Sequence, residues 1–93
     1  VIVACLACEC FLPGCRSLKE KRGVVKRVLN RVKSRFNVSA AEVDYWDHWQ
    51  RTTLAFAAVA GERRFLEAEL ERVRRFVEAH DGLEVLRVDL MYL

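Results

Sequence analysis

Phe11-Leu12-Pro13-Gly14-Cys15-Arg16-Ser17-Leu18-Lys19-Glu20-Lys21-Arg22 is where a first strand gives way to a first helix, and the topology of the whole chain follows from that junction. Upstream, Val1–Leu12 is rich in β-branched and small apolar residues and reads as a strand, closed by the turn pair Pro13-Gly14. Downstream, Ser17 can accept a hydrogen bond from the amide three residues on, and Glu20 at that position completes a capping box. Leu18, Val25, Leu29, Val32 and Phe36 then recur at helical spacing, with Val28 beside them, which predicts an amphipathic helix of about five turns.

Working outward, Val38–Asp47 and Arg51–Ala60 read as strands joined by a polar hairpin around His48. After Gly61, Glu62–His80 forms a second amphipathic helix with Leu66, Leu70, Val73 and Val77 on one stripe. Asp81-Gly82 stops it, and Leu83–Tyr92 closes the chain as a strand with Leu86, Val88 and Leu90 directed inward. The order β-α-β-β-α-β predicts an α+β fold. It is the ferredoxin-like plait, a single domain over residues 1–93 with a four-stranded antiparallel sheet and both helices on one face. The other face is left bare, and alternation assigns it Ala7, Phe11, Ala55, Ala57, Val85 and Met91, with Trp46 at its margin. A chain of this size buries only about 60–65% of its unfolded surface, so a bare apolar face predicts a homodimer.

The charge is unevenly placed. The 93 residues carry a net +3, but Arg16–Phe36 holds nine Lys/Arg against one Glu, for +8, which leaves −5 on the remainder. No apolar run approaches the roughly 20 residues of a membrane span. Val1–Leu12 lacks a basic leader and a small-residue cleavage site and is not expected to be a signal peptide. A cytoplasmic location is the expectation.

Leu12-Pro13, Ser17-Leu18-Lys19-Glu20-Lys21-Arg22, Phe36-Asn37-Val38-Ser39, Ala41-Glu42-Val43, Asp47 and Trp49-Gln50-Arg51 together resemble the YlxP-like family of small bacterial proteins, over nearly the whole chain. The resemblance implies a ferredoxin-like, cytoplasmic, dimeric domain with no assigned activity. Its members are often encoded beside translation and ribosome-maturation factors, an association that does not itself define a function.

The basic helix is the main functional lead. Lys19, Lys26 and Lys33 form one ridge and Arg27, Arg31 and Arg35 another, with the small residues Gly23, Asn30 and Ser34 between them. Two cationic ridges around a shallow lane suit a phosphate backbone. The second helix has five acids and five arginines and can pair them, as Glu71 with Arg75, whereas the first has almost no acids to pair with. Arg16, Ser17, Lys19, Lys21 and Arg22 crowd the helix start, where free amides and cations would make an anion pocket. The competing expectation is that these cations pair with acids elsewhere, Glu42 or Asp44 among them.

Cys5, Cys8, Cys10 and Cys15 have the spacing C-x2-C-x-C-x4-C, which matches no common zinc or cluster pattern, so neither metal nor cofactor is expected. On a strand, Cys8 and Cys10 share a face that Cys5 does not, and Cys15 in the turn is expected to be the most reactive thiol. In the hairpin, Glu42, Asp44, Trp46 and His48 alternate onto one face, a set that could hold a hard cation or do acid–base work. No nucleophile–base–orienter set accompanies them, so the chain is not expected to be an enzyme. Trp46, Trp49 and Arg51 are instead expected to form a partner interface. RNA-recognition-motif base stacking is disfavoured, since Phe56, the only aromatic of the third strand, is predicted to face the helices. The functional expectation is a structured RNA or ribosomal particle bound through Arg16, Ser17, Lys19, Lys21, Arg22, Lys26, Arg27, Arg31 and Lys33. The alternative is an acidic protein held by the same helix and the Trp hairpin.

Overall fold

Along β1 (Ile2–Phe11) buried residues alternate with half-exposed ones, as they must in a strand covered on one side only. Around it a computed structural model, which describes residues 1–93, places α1 (Leu18–Arg35), β2 (Ser39–Asp44), β3 (Arg51–Ala60), α2 (Arg63–Glu78) and β4 (Glu84–Tyr92). The strands form one antiparallel sheet in the order β2-β3-β1-β4. This is the ferredoxin-like βαββαβ arrangement that the sequence predicts. No helix is long and apolar enough to cross a membrane.

The core lies between sheet and helices. Ala4, Leu6, Cys8 and Cys10 of β1 sit opposite Ala58, Phe56, Leu54 and Thr52 of β3, all buried. Above them pack Val25, Val28 and Val32 of α1 and Leu66, Leu70, Val73 and Val77 of α2. Phe56 faces the helices as predicted and is fully enclosed. The stripe of α1 departs from its prediction, because Leu18, Leu29 and Phe36 are only half-buried and Lys21 takes a fully buried place. Lys21 lies four residues before Val25, on the buried line that continues through Val28 and Val32.

The opposite face of the sheet is covered by no helix. It presents Val3, Cys5, Ala7 and Phe11 of β1, Ala55, Ala57 and Val59 of β3, and Met91 of β4. Two residues assigned to it by alternation lie elsewhere. A bulge in β4 between Val85 and Arg87 lets Val85 pair with Cys10, which turns it toward the helices. Trp46 lies in the loop after β2, whose ladder ends at Asp44 rather than Asp47.

Phe56→Ala removes a wholly enclosed ring, so it is expected to cost about 3–5 kcal/mol in urea unfolding. Phe65→Ala, at a half-exposed site on α2, is expected to stay within about 0.5 kcal/mol.

Candidate nucleic-acid interface

The start of α1 is closed by its own residues. The Ser17 hydroxyl accepts from the Glu20 amide at 3.1 Å, and the Glu20 carboxylate accepts from the Arg16 amide at 2.8 Å. Glu20 therefore stands at the electropositive helix end, where the sequence suggested a phosphate. At the expected pocket, then, the Ser17 oxygen serves as the cap's acceptor and the anion beside it belongs to the chain.

Lys21 is the second correction. It is wholly buried, with Nζ 2.9 Å from Glu42 Oε2, 2.7 Å from the Tyr45 carbonyl, 3.1 Å from that of Trp46 and 3.4 Å from that of Arg51. Glu42 Oε2 also accepts from the Thr52 hydroxyl at 2.6 Å. Pairing with Glu42 was the competing expectation, and for Lys21 it holds. This side chain is unavailable to a phosphate.

The other cations of the segment remain outside. Arg16, Lys19, Arg22, Lys26, Arg27, Arg31, Lys33 and Arg35 are all exposed, and none lies within 4 Å of a carboxylate oxygen. Arg31 donates to His80 Nε2 at 2.9 Å, so the imidazole carries its proton on Nδ1 and donates to the Asp81 carbonyl at 2.8 Å. Arg35 lies over the Phe76 ring at 4.9 Å. On α2 the arrangement is opposite, with Arg72, Arg74 and Arg75 paired to Glu69, Glu78 and Glu71. Gly23 lies between the ridges of α1, and a Cβ there would meet only the Arg27 guanidinium, at 3.8 Å.

The hairpin differs from its alternating prediction. Glu42 pairs with Leu54 on the helix face, but a bulge at Val43 lets Asp44 pair with Thr53 on the open face. Glu42 and Asp44 thus point apart, and the row Glu42, Asp44, Trp46, His48 does not form. Tyr45 turns the chain with φ of 61°, and its carbonyl accepts from the His48 amide at 3.0 Å as well as from Lys21. Trp46 and Trp49 are 56% and 47% exposed, so both keep a surface free for a partner. Arg51 is tied within the chain to Glu9 and over the Tyr45 ring. Gln50, to which the sequence reading assigned no role, donates from Nε2 to the Pro13 and Cys15 carbonyls at 3.4 and 3.2 Å, fastening the loop to the β1–α1 turn.

Cys8 and Cys10 face the core and Cys5 the open side, as alternation predicts. Burial pushes the Cys8 thiol up to about 11 and that of Cys10 to about 12. Cys15 is also buried and its thiol is raised by burial, contrary to the reactivity expected of a turn cysteine.

The residues that meet around Lys21 and the β2–β3 loop lie within residues 3–90, the stretch that matches a known family. The family described as "Protein of unknown function (DUF503)" matches residues 3–90, and the chain belongs to it. It is 48% identical over 77 residues to "Uncharacterized protein YlxP" of Bacillus subtilis (strain 168), a match covering 83% of this chain and 84% of that protein.

Two outcomes are expected. Glu42→Ala strands a buried ammonium and should cost about 3–5 kcal/mol in chemical denaturation. The raised thiols hold their protons longer in the folded chain than in the unfolded one, so their stabilising contribution is complete below pH 9 and lost between 9 and about 12. Within that window each thiol steepens the loss by up to about 1.4 kcal/mol per pH unit, and Cys8→Ala with Cys10→Ala should flatten the alkaline limb of a denaturation–pH profile.

Proposed function

We propose that this protein is a non-enzymatic binder of structured RNA, such as ribosomal RNA, and that it holds the phosphate backbone against the exposed face of α1. The observation that carries this reading is the contrast between the helices: α2 pairs Arg72, Arg74 and Arg75 with its own acids, while Arg16, Lys19, Arg22, Lys26, Arg27, Arg31, Lys33 and Arg35 have no acid partner. Like charges at i, i+4 cost a helix a few tenths of a kcal/mol per pair, so such a face lowers its own stability. A polyanion removes that repulsion and gains from counterion release. Gly23 supports the same reading. In a helix interior it costs about 1 kcal/mol relative to Ala, and no neighbour requires it, whereas a closely approaching backbone would.

The exposed Trp46 and Trp49 favour a second reading, in which the same cations and the hairpin engage an acidic protein. Salt separates the two, because phosphate neutralisation gives a steep log–log slope that an aromatic protein contact lacks.

Fluorescence anisotropy of a labelled structured ribosomal RNA fragment across a salt series is expected to give a slope worth about four or more phosphates. Lys19→Glu, Lys26→Glu and Arg31→Glu combined should abolish it, while Arg75→Glu on α2 should leave it intact. Flat anisotropy at low salt refutes RNA binding and transfers the helix to the protein reading. Gly23→Ala should raise stability by about 0.5–1 kcal/mol in thermal unfolding while weakening RNA affinity. A stabilised variant with undiminished affinity would remove the close-approach argument.

A further inference from the structure

β4 is the outer strand of the sheet, and one of its edges has no partner. The Leu93 amide donates to the Val3 carbonyl at 2.9 Å, which sets the phase of the β1–β4 ladder. Arg87, Asp89 and Met91, opposite Glu9, Ala7 and Cys5, direct their amides and carbonyls to β1. Val88, Leu90 and Tyr92 therefore direct theirs outward, a free template for another strand. Beside this edge α2 stops short. Leu86 and Leu90 are 50% and 42% exposed, and they form the apolar floor of a groove of about 470 Å³ whose other wall is Glu67, Glu71, Arg74 and Glu78 of α2.

We propose that this edge docks the β4 strand of a second copy, antiparallel, with Val88 opposite the partner's Val88 on the two-fold axis. The occupant and the register both follow from the charge pattern. Antiparallel pairing requires outward-directed residues to oppose one another, so a two-fold axis can pass through a residue position but not between two. With the axis at Arg87, arginine opposes arginine; with it at Asp89, aspartate opposes aspartate. With it at Val88, Arg87 opposes the partner's Asp89 twice over, in the pairing type where side chains come closest. Arg87 and Asp89 already bridge each other at 3.1 Å within one chain, so pairing closes a ring of alternating charges. The same register brings the partner's Leu90 beside Leu86 at the β4 bulge, covering half-exposed leucines on both sides. The uncovered sheet face, first expected to carry the dimer, offers no free strand edge and therefore no hydrogen-bonding register of this kind. Edge pairing fuses two four-stranded sheets into one of eight strands, with all the helices on one side.

Sedimentation equilibrium on the wild-type chain, Arg87→Asp, Asp89→Arg and their equimolar mixture tests the proposal. The wild type is expected to dimerise, and each variant alone to weaken the dimer by about tenfold or more, because like charges then face each other. The mixture should recover a heterodimer, since one variant carries acids at both positions and the other carries arginines. Unchanged far-ultraviolet circular dichroism in both variants separates lost docking from lost folding, and Val88→Thr provides a further conservative edge variant that should still dimerise. A monomeric wild type, single variants that dimerise as tightly as the wild type, or a mixture that fails to pair would each overturn the inference.

Discussion

The Lys21 ammonium, closed off from solvent, is the constraint on which the rest of the molecule depends. Removing such an ion from water costs several kcal/mol unless it is paired and hydrogen-bonded. Here Glu42 supplies the opposite charge, and the carbonyls of Tyr45, Trp46 and Arg51 complete the surround. Four acceptors converge on one nitrogen with three protons, an arrangement that suits a compact ammonium and not a planar guanidinium. The longest of the four, to Arg51 at 3.4 Å, is the natural one to be shared. Through this contact α1 is fastened to β2, to the β2–β3 loop and to the first residue of β3. Tyr45 can then occupy a left-handed backbone conformation, costing roughly 1–2 kcal/mol, because its carbonyl is held from two directions.

One helix thus uses the same residue type in two physical roles. Lys21 faces inward and is neutralised; Lys19, Lys26 and Lys33, on other sides of the same turns, face water without carboxylate partners. Burying one cation contributes nothing to the field outside, where it is matched by Glu42. The exposed eight create that field, and the cap at Ser17 and Glu20 shapes it by setting one anion at the helix start.

Local signals carried most of the architecture. The strand pattern before Pro13, the capping box at Ser17 and the apolar stripe of α2 act over a few residues, and each element they define is present. What was illegible depended on partners distant in sequence. Val85 and Asp44 alternate correctly along their own strands, but a bulge against β1 or β3 reverses their faces, and strict alternation contains no trace of it. Lys21 was half legible: its spacing to Val25, Val28 and Val32 marks a buried position, yet nothing local says that four acceptors await it. Gln50 and His80 act through the β1–α1 turn and through α1, contacts that become neighbours only once the sheet has formed.

The two proposed surfaces lie at opposite margins of the sheet. α1 packs toward β2, at one end of the strand order, and the free edge of β4 lies at the other. Occupying either surface therefore leaves the other open. The fully buried Phe56 and the aromatic-poor central strands leave little for base stacking, so the proposed nucleic-acid contact falls to the helix layer. In the proposed dimer a two-fold axis through Val88 would stand across the sheet, and both copies of α1 would emerge on the same side at the far ends of an extended platform. A single RNA long enough to span them would bind twice, with the second contact intramolecular and raised in effective concentration. Dimerisation by the strand edge would thereby strengthen a weak, shape-directed phosphate contact without adding a residue to it.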